Sequence, residues 1–432
     1  MTESQPTVVG VDVGSSAARA VAINRNGEVV GESAARYPEG SGLPIGQVDP
    51  FTWLTGFTQA ITSLAVTPAA IGAGGHGPTS VAAGGEAALT FRHPAGESSS
   101  PQDQHAAQTG VLREMFGAHI QPRQLWDWVL TQLGGDGSYQ SVWPSNTPLA
   151  EFGEPIPVGT SIGVTDGSHG LPIGIPLVPG SNDAYLTAWA GGIDIPGRGF
   201  DPGGRTGGLG VAVEASADKE AMAYAMPSAV PGVHIVGGPV AAHGTILDWW
   251  AEITGRKLTE LIDLAAEVPP GSNGVLVLPF LEGERAPRWN PALRAEIIGL
   301  HVTTDAGVIT RALLEATAYG LGHIAREVAG AGAVLTRLVA SGGPSRSHLW
   351  TTIKSAVLEV PVDVPACDEM SAYGAALAAG AALGWWPRPG EGRSGDWPQP
   401  AMTTIEAEPL DVYRAGLERF IELGDQAVAR LG

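Results

Sequence analysis

At 432 residues the chain is long for one hydrophobic core and predicts two domains, and 44% hydrophobic with 16% charged residues predicts a globular protein. Its 44 acidic residues against 24 Lys and Arg leave a formal charge of −20 without a basic cluster, which argues against nucleic acid or an anionic membrane as a partner. Cys367 is the single cysteine, the leading MTESQPT has neither a basic nor an apolar region, and no apolar run reaches the ~18 residues of a membrane span, so a cytoplasmic enzyme without signal peptide or disulfide is expected.

Residues 8–13 read as a buried strand, with Val8, Val9, Val11 and Val13 apolar and β-branched and Asp12 interrupting the run. Gly14, Ser15 and Ser16 turn the chain into a second strand at 18–23, and Asn26-Gly27 is a hairpin signal before 28–32. A carboxylate pointing into a Gly/Ser turn suits Mg²⁺ held over a phosphate, with Ser15, Ser16 and turn N–H groups meeting phosphate oxygens. The plainer reading is a glycine-rich hairpin whose aspartate caps a turn. No GxxxxGK[ST] segment occurs, and Gly10-Val-Asp12-Val-Gly14 leads into a strand rather than a helix, so neither a Walker loop nor a dinucleotide fingerprint is present.

Residues 51–64 follow as an amphipathic helix started by Asp49 or Pro50. A strand and tight turn over 69–83 carry His76, which is either structural or faces a cleft. The polar stretch 84–110 reads as an exposed loop with Asp103 and His105 solvated, and 112–133 as a helix interrupted near Pro122, with Trp126 and Trp128 as packing residues. Asp183 opens a helical stretch over 184–190. It is either an N-cap or a general base that takes a proton from a substrate hydroxyl. A second glycine cluster, 201–210, leads into a strand at 211–214, and two such turns attached to strands suggest two related lobes gripping one polyphosphate.

In the C-terminal half, 273–280 and 335–340 read as strands, 307–330, 348–358 and 409–431 as helices, and 387–404 as a loop. The Gly342-Gly343 turn between strand and helix lets a flat base or a phosphate approach the backbone. Residues 369–383 form a helix of small side chains that can pack closely beside a ligand.

These pieces together resemble the FGGY family of carbohydrate kinases, in the superfamily that also holds actin and the heat-shock ATPases. The matching text runs in family order: GVDVGSSAARA (10–20), GGHGPTSV (74–81), PGSNDAYLTAWAGG (179–192), GGRTGG (203–208), LPFLEGERAPRWNP (278–291), GGPSRSHLW (342–350) and EMSAYGAALAAGAALG (369–384). The resemblance implies an α/β protein of two RNase-H-like domains, an N-terminal one over 1–191 and a C-terminal one over 192–432, with ATP and sugar meeting in a central cleft. By position it implies Mg²⁺ on Asp12, a first phosphate loop of Gly14, Ser15 and Ser16, and Asp183 as catalytic base. It implies a second phosphate loop of Gly204, Thr206 and Gly207, and Gly342, Gly343 and Ser347 beside the adenosine.

The sugar side departs from the family text. Pro101-Gln-Asp103-Gln-His105 stands where W-x-D-x-R is usual, and the first domain is short. His76, Asp103 and His105, with Asp183, are the candidates for a remodelled pocket. The expected substrate is a ketose such as xylulose or ribulose, a polyol, or a sugar acid such as gluconate; GERAPRWNP looks more like gluconate and ketose kinases than glycerol kinases. A homodimer is compatible with the resemblance. The rival reading is an actin-like nucleotide-binding regulator or scaffold that has lost sugar phosphorylation.

Overall fold

The computed structural model describes residues 5–38, 43–94, 101–144, 146–204, 207–215, 225–240, 242–330 and 332–431. It divides into two compact units. The first holds 1–192, 227–231 and 369–400; the second holds 193–226, 232–368 and 401–432. Chain continuity therefore does not delimit the units, because residues 369–400 return to the first.

The first unit is built on five strands in the order Leu177–Asn182, Ile71–Gly75, Thr7–Val13, Ala17–Asn24, Val29–Arg36. The last three form an antiparallel meander, and the first three run parallel. Thr7–Val13 is the central strand and its valines are fully buried, as its β-branched run requires. Helices α1 (Pro50–Ser63), α2 (Pro101–Phe116), α3 (Leu125–Thr131) and α4 (Asp183–Ala190) belong to this unit. Asp49 caps α1 by accepting from Phe51 N at 3.0 Å.

The second unit repeats the plan. Arg198–Asp201, Gly208–Glu214 and Val233–Pro239 form an antiparallel meander. Arg337–Ala340 then lies parallel to Arg198–Asp201, and Val362–Pro365 parallel to Arg337–Ala340. Helices α5 (Gly244–Thr254), α6 (Leu258–Ala266), α7 (Ala306–Gly330) and α8 (His348–Leu358) pack in this unit. Helix α9 (Met370–Ala382) belongs to the first unit, and α10 (Asp411–Ala429) to the second, burying Tyr413, Leu417 and Phe420 from one face.

Helix α9 is the small-residue stretch, and its partners explain its composition. A Cβ on Gly10 would sit 2.1 Å from Ala372 O, one on Gly72 1.9 Å from Ala375 O, and one on Gly374 2.4 Å from Leu186 O. Strand, helix and neighbouring helix thus meet backbone to backbone, which only Gly and Ala allow.

Three sequence expectations are corrected. The stretch 84–110 is not one exposed loop: α2 begins at Pro101, and it turns His105 and Leu112 inward because the helix repeat puts one face on the apolar residues Ala82 and Leu89. The helical stretch expected over 112–133 begins earlier, at Pro101, while its interruption near Pro122 falls where expected, at the short strand Pro122–Gln124 between α2 and α3. Met402–Ile405, expected in a loop, pairs as an edge strand with Val362–Pro365. Trp126 and Trp128 are buried packing residues, as expected. Among the described residues no helix is long and apolar enough to cross a membrane.

Asp127 on α3 carries a prediction for stability. It is 2% exposed and accepts from Ser141 Oγ at 2.9 Å and from Ser141 N and Gln124 Nε2 at 3.2 Å. Burial nevertheless pushes its carboxyl up to about 7, against these hydrogen bonds. Between the ordinary carboxylate value and about 7 the folded chain then holds a proton that the unfolded chain has released. Stability therefore falls as pH rises through that window. Urea titrations from pH 4.5 to 8 should show a decline that loses on the order of a few kcal/mol in Asp127→Asn, which keeps an oxygen for Gln124 and Ser141 N.

Candidate active site

Three parallel strands of the first unit end together. Register pairs Asp12 with Gly74, Val13 with Gly75 and Gly75 with Asn182, so Asp12, His76 and Asp183 gather at the carboxyl ends of adjacent strands. That edge is where open α/β sheets bind ligands, because turns rather than strand hydrogen bonds shape the backbone there. The sequence placed these three residues 64 and 107 positions apart; the sheet brings them together.

Asp12 is buried and its Oδ1 accepts from Ser371 Oγ on the first turn of α9 at 2.9 Å. Burial raises its pKa, and the Ser371 hydroxyl and Arg19 guanidinium offset part of that rise. Arg19 is Asp12's partner across the hairpin register and pairs with Glu369 at 3.2 Å. The turn of Gly14, Ser15 and Ser16 closes with Gly14 N donating to Ala17 O, and both serines are exposed. A Cβ on Gly14 would lie 3.0 Å from Arg19 Nη1, so the guanidinium sits against this turn.

Asp183 is half-buried, and its carboxyl is pushed up to about 7, by burial first and then by the charge of Asp12. The cap of α4 is Asn182, whose Oδ1 accepts from Ala184 N at 2.9 Å; Asp183 is the first helical residue. Helix capping therefore does not require Asp183, and the N-cap reading is corrected to its neighbour.

His76 is buried between Trp53 and Phe91, donates from Nδ1 to Val13 O at 2.8 Å, and is held down to about 4 by burial, so it is neutral. His105 is likewise buried and neutral, its Nδ1 2.9 Å from Ser80 Oγ. Asp103, on the same helix, is exposed. His105 thus ties α2 to the segment 76–80, where Gln108 Nε2 also donates to Pro78 O.

The second unit carries the other two turns, and they touch each other. A Cβ on Gly203 would lie 2.2 Å from Ser341 O, and one on Gly342 3.0 Å from Pro202 O. Gly203, Gly204 and Gly207 all have φ between 62° and 73°, which bars a side chain without strain. Thr206, expected in the second phosphate loop by family position, lies outside the described residues. Ser347 caps α8, its Oγ accepting from Trp350 N at 3.3 Å, while Gly343 is exposed.

Sequence reading missed Ser371 and Arg19. Arg19 had a signal, since hairpin pairing of a strand ending at Asp12 places it directly opposite; Ser371, 359 positions away, had none.

Residues 208–383 match the FGGY family of carbohydrate kinases, C-terminal domain. A glycerol kinase from Gloeobacter violaceus is 34% identical over 197 residues, 44% of this chain, and the match spans 37% of that relative, well under half its length. Over nearly the whole chain the fold is similar to a xyloylose kinase from Brucella ovis, with a TM-score of 0.82 at 21% identity, covering 99% of this chain and 100% of that one. It is also similar to a Plasmodium falciparum glycerol kinase solved with ADP, with a TM-score of 0.77 at 16% identity, covering 99% and 98%. These likenesses show that the chain shares the α/β fold of those kinases over nearly its whole length.

Proposed function

We propose that this chain is an ATP-dependent carbohydrate kinase, transferring the γ-phosphoryl group of ATP to a hydroxyl of a sugar, polyol or sugar acid. The observation that carries the reading is that Asp12 and Asp183 stand at the carboxyl ends of the outer two of three parallel strands, close enough for the charge of one to act on the other, beside an exposed Gly-Ser-Ser turn. The match of residues 208–383 to the FGGY C-terminal domain supports the same reading.

Asp183 is the base. Its raised pKa sits close to neutral pH, where a carboxyl both ionises and accepts a hydroxyl proton effectively. Asp12 is the metal-side carboxylate. The donor set fits Mg²⁺ rather than a protein-caged metal: no group of three or more His, Cys, Asp or Glu able to hold an ion occurs among the described residues, and Mg²⁺ is usually held by one or two carboxylates plus substrate phosphates. When bound, Mg²⁺ neutralises charge on the phosphates. Ser15, Ser16 and the turn amides would hold phosphate oxygens, and Arg19 against Gly14 adds positive charge to that turn. Gly204, Gly207, Gly342 and Gly343, with Thr206 by family position, form the nucleotide side of the second unit, and Ser347 stands at its rim.

The regulator reading is less favoured, because a chain without phosphoryl transfer has no chemical need to hold two repelling carboxylates together. On the acceptor side, His76 and His105 are neutral donors and acceptors suited to hydroxyls, and Asp103 stands on the same helix as His105. The test is ADP release from Mg·ATP with a panel of ketoses, polyols and sugar acids. Stimulation by one compound, abolished in Asp12→Ala, is the expected result; ATP binding with silence across the panel would favour the regulator.

A further inference from the structure

Asp201 ends the first strand of the second unit's meander, as Asp12 nearly ends that of the first. The two carboxylates differ in what surrounds them. Asp201 is completely buried, its Oδ2 2.6 Å from Lys354 Nζ on α8, also completely buried. Its Oδ1 accepts from Gly203 N at 2.9 Å, while its main-chain oxygen accepts from Ser341 N at 3.0 Å. One residue therefore ties down both glycine turns of the unit, the first through its side chain and the second through its backbone.

His243 forms the floor. Its Nε2 lies 3.4 Å from Asp201 Oδ2, it stacks on Trp350 at 4.9 Å, and a Cβ on Gly207 would meet its ring at 2.5 Å. Neither ring nitrogen has a hydrogen-bond partner among the described residues. Burial and then Lys354 push it down to about 3, so it is neutral and leaves the Asp201 charge to Lys354. Gly244 N, next in the chain, donates to Gly204 O at 3.1 Å.

We propose that the buried Asp201–Lys354 pair is a positioning device that sets the geometry of Gly203 and Gly204, and through it the grip on nucleotide phosphates. This rests on the nucleotide reading of those turns given above. Lys354 fixes the carboxylate rotamer; the carboxylate fixes the Gly203 amide. Unlike Asp12, Asp201 has no freedom to meet a metal, since both oxygens are committed inside the protein.

Removing either charge alone would strand the other, so the test uses double variants of the full chain. Asp201→Asn with Lys354→Met removes both charges but keeps an oxygen for Gly203 N. Asp201→Ala with Lys354→Met removes both charges and the anchor. MgADP binding by calorimetry should weaken about tenfold in the second, the loss of one well-placed hydrogen bond, and by less in the first, which loses only the charge that fixes the rotamer. Exchange of the Gly203 amide should quicken most in the second. Wild-type MgADP affinity and unchanged exchange in the alanine double variant would overturn the proposal while leaving the nucleotide reading intact. Failure of the wild-type protein to bind MgADP would overturn the nucleotide reading, and this proposal with it.

Discussion

Asp183→Asn should lower kcat by about 10²- to 10⁴-fold, the usual worth of a positioned general base, while the protein folds as before. The fold is spared for a local reason. Asn keeps an oxygen where Asp183 Oδ1 accepts from Ala184 N at 2.8 Å, and Asn182 still caps α4. Removing the carboxyl also removes its repulsion with Asp12. Burial, and then Asp12, raise the folded Asp183 pKa to about 7, so Asp183 adds to the fall of wild-type stability as pH rises from the ordinary carboxylate range toward 7, and the variant lacks its share of that decline. The wild-type rate should rise with pH through the same region, since the base must be ionised. Acceptor-stimulated ADP release, measured beside thermal melting, checks both halves. A variant that keeps its full rate would remove Asp183 from the chemistry.

Gly72→Ala should destabilise the first unit by about 3 kcal/mol, the upper range for overpacking. Backbone conformation gives no warning of this, for Gly72 is not among the positive-φ glycines and alanine is ordinary there. Where space exists, Gly→Ala at such a position stabilises by roughly 0.4–1 kcal/mol by reducing the entropy of the unfolded chain. Here the new Cβ would stand 1.9 Å from Ala375 O, a backbone atom that cannot rotate aside. The sign of the change therefore reports whether α9 lies on the strand. Urea unfolding of Gly72→Ala against wild type reads it directly; a neutral or stabilising result would mean that α9 does not pack there. Because α9 also presents Ser371 to Asp12, the same variant should weaken MgATP-dependent activity beyond its loss of folded protein.

The central strand, its Asp12, the Gly-Ser-Ser turn, the long helices and the family likeness were legible in the sequence, because each rests on local periodicity or on a short contiguous motif. The position of Asp183 was legible too, but not its neighbour: whether it capped a helix or faced Asp12 depended on a sheet register spanning more than 100 residues. His105 was misjudged for a related reason. Polar text around 84–110 carries no apolar period strong enough to announce a helix, and only the surface offered by Ala82 and Leu89 selects which face turns inward.

Lys354 shows the limit most clearly. On α8 it is one charged residue in an apolar helix, and nothing within that helix names its partner. Asp201 lies 153 positions earlier, and a buried ammonium is tolerable only because two parallel strands and a helix bring that one carboxylate within 2.6 Å. The sequence by itself determined the central strand, the Gly-Ser-Ser turn, the long helices and the two candidate carboxylates, Asp12 and Asp183. The tertiary structure decided which of those residues meet, since charge pairing and backbone-to-backbone packing are settled by sheet order and register, which no local stretch of chain contains.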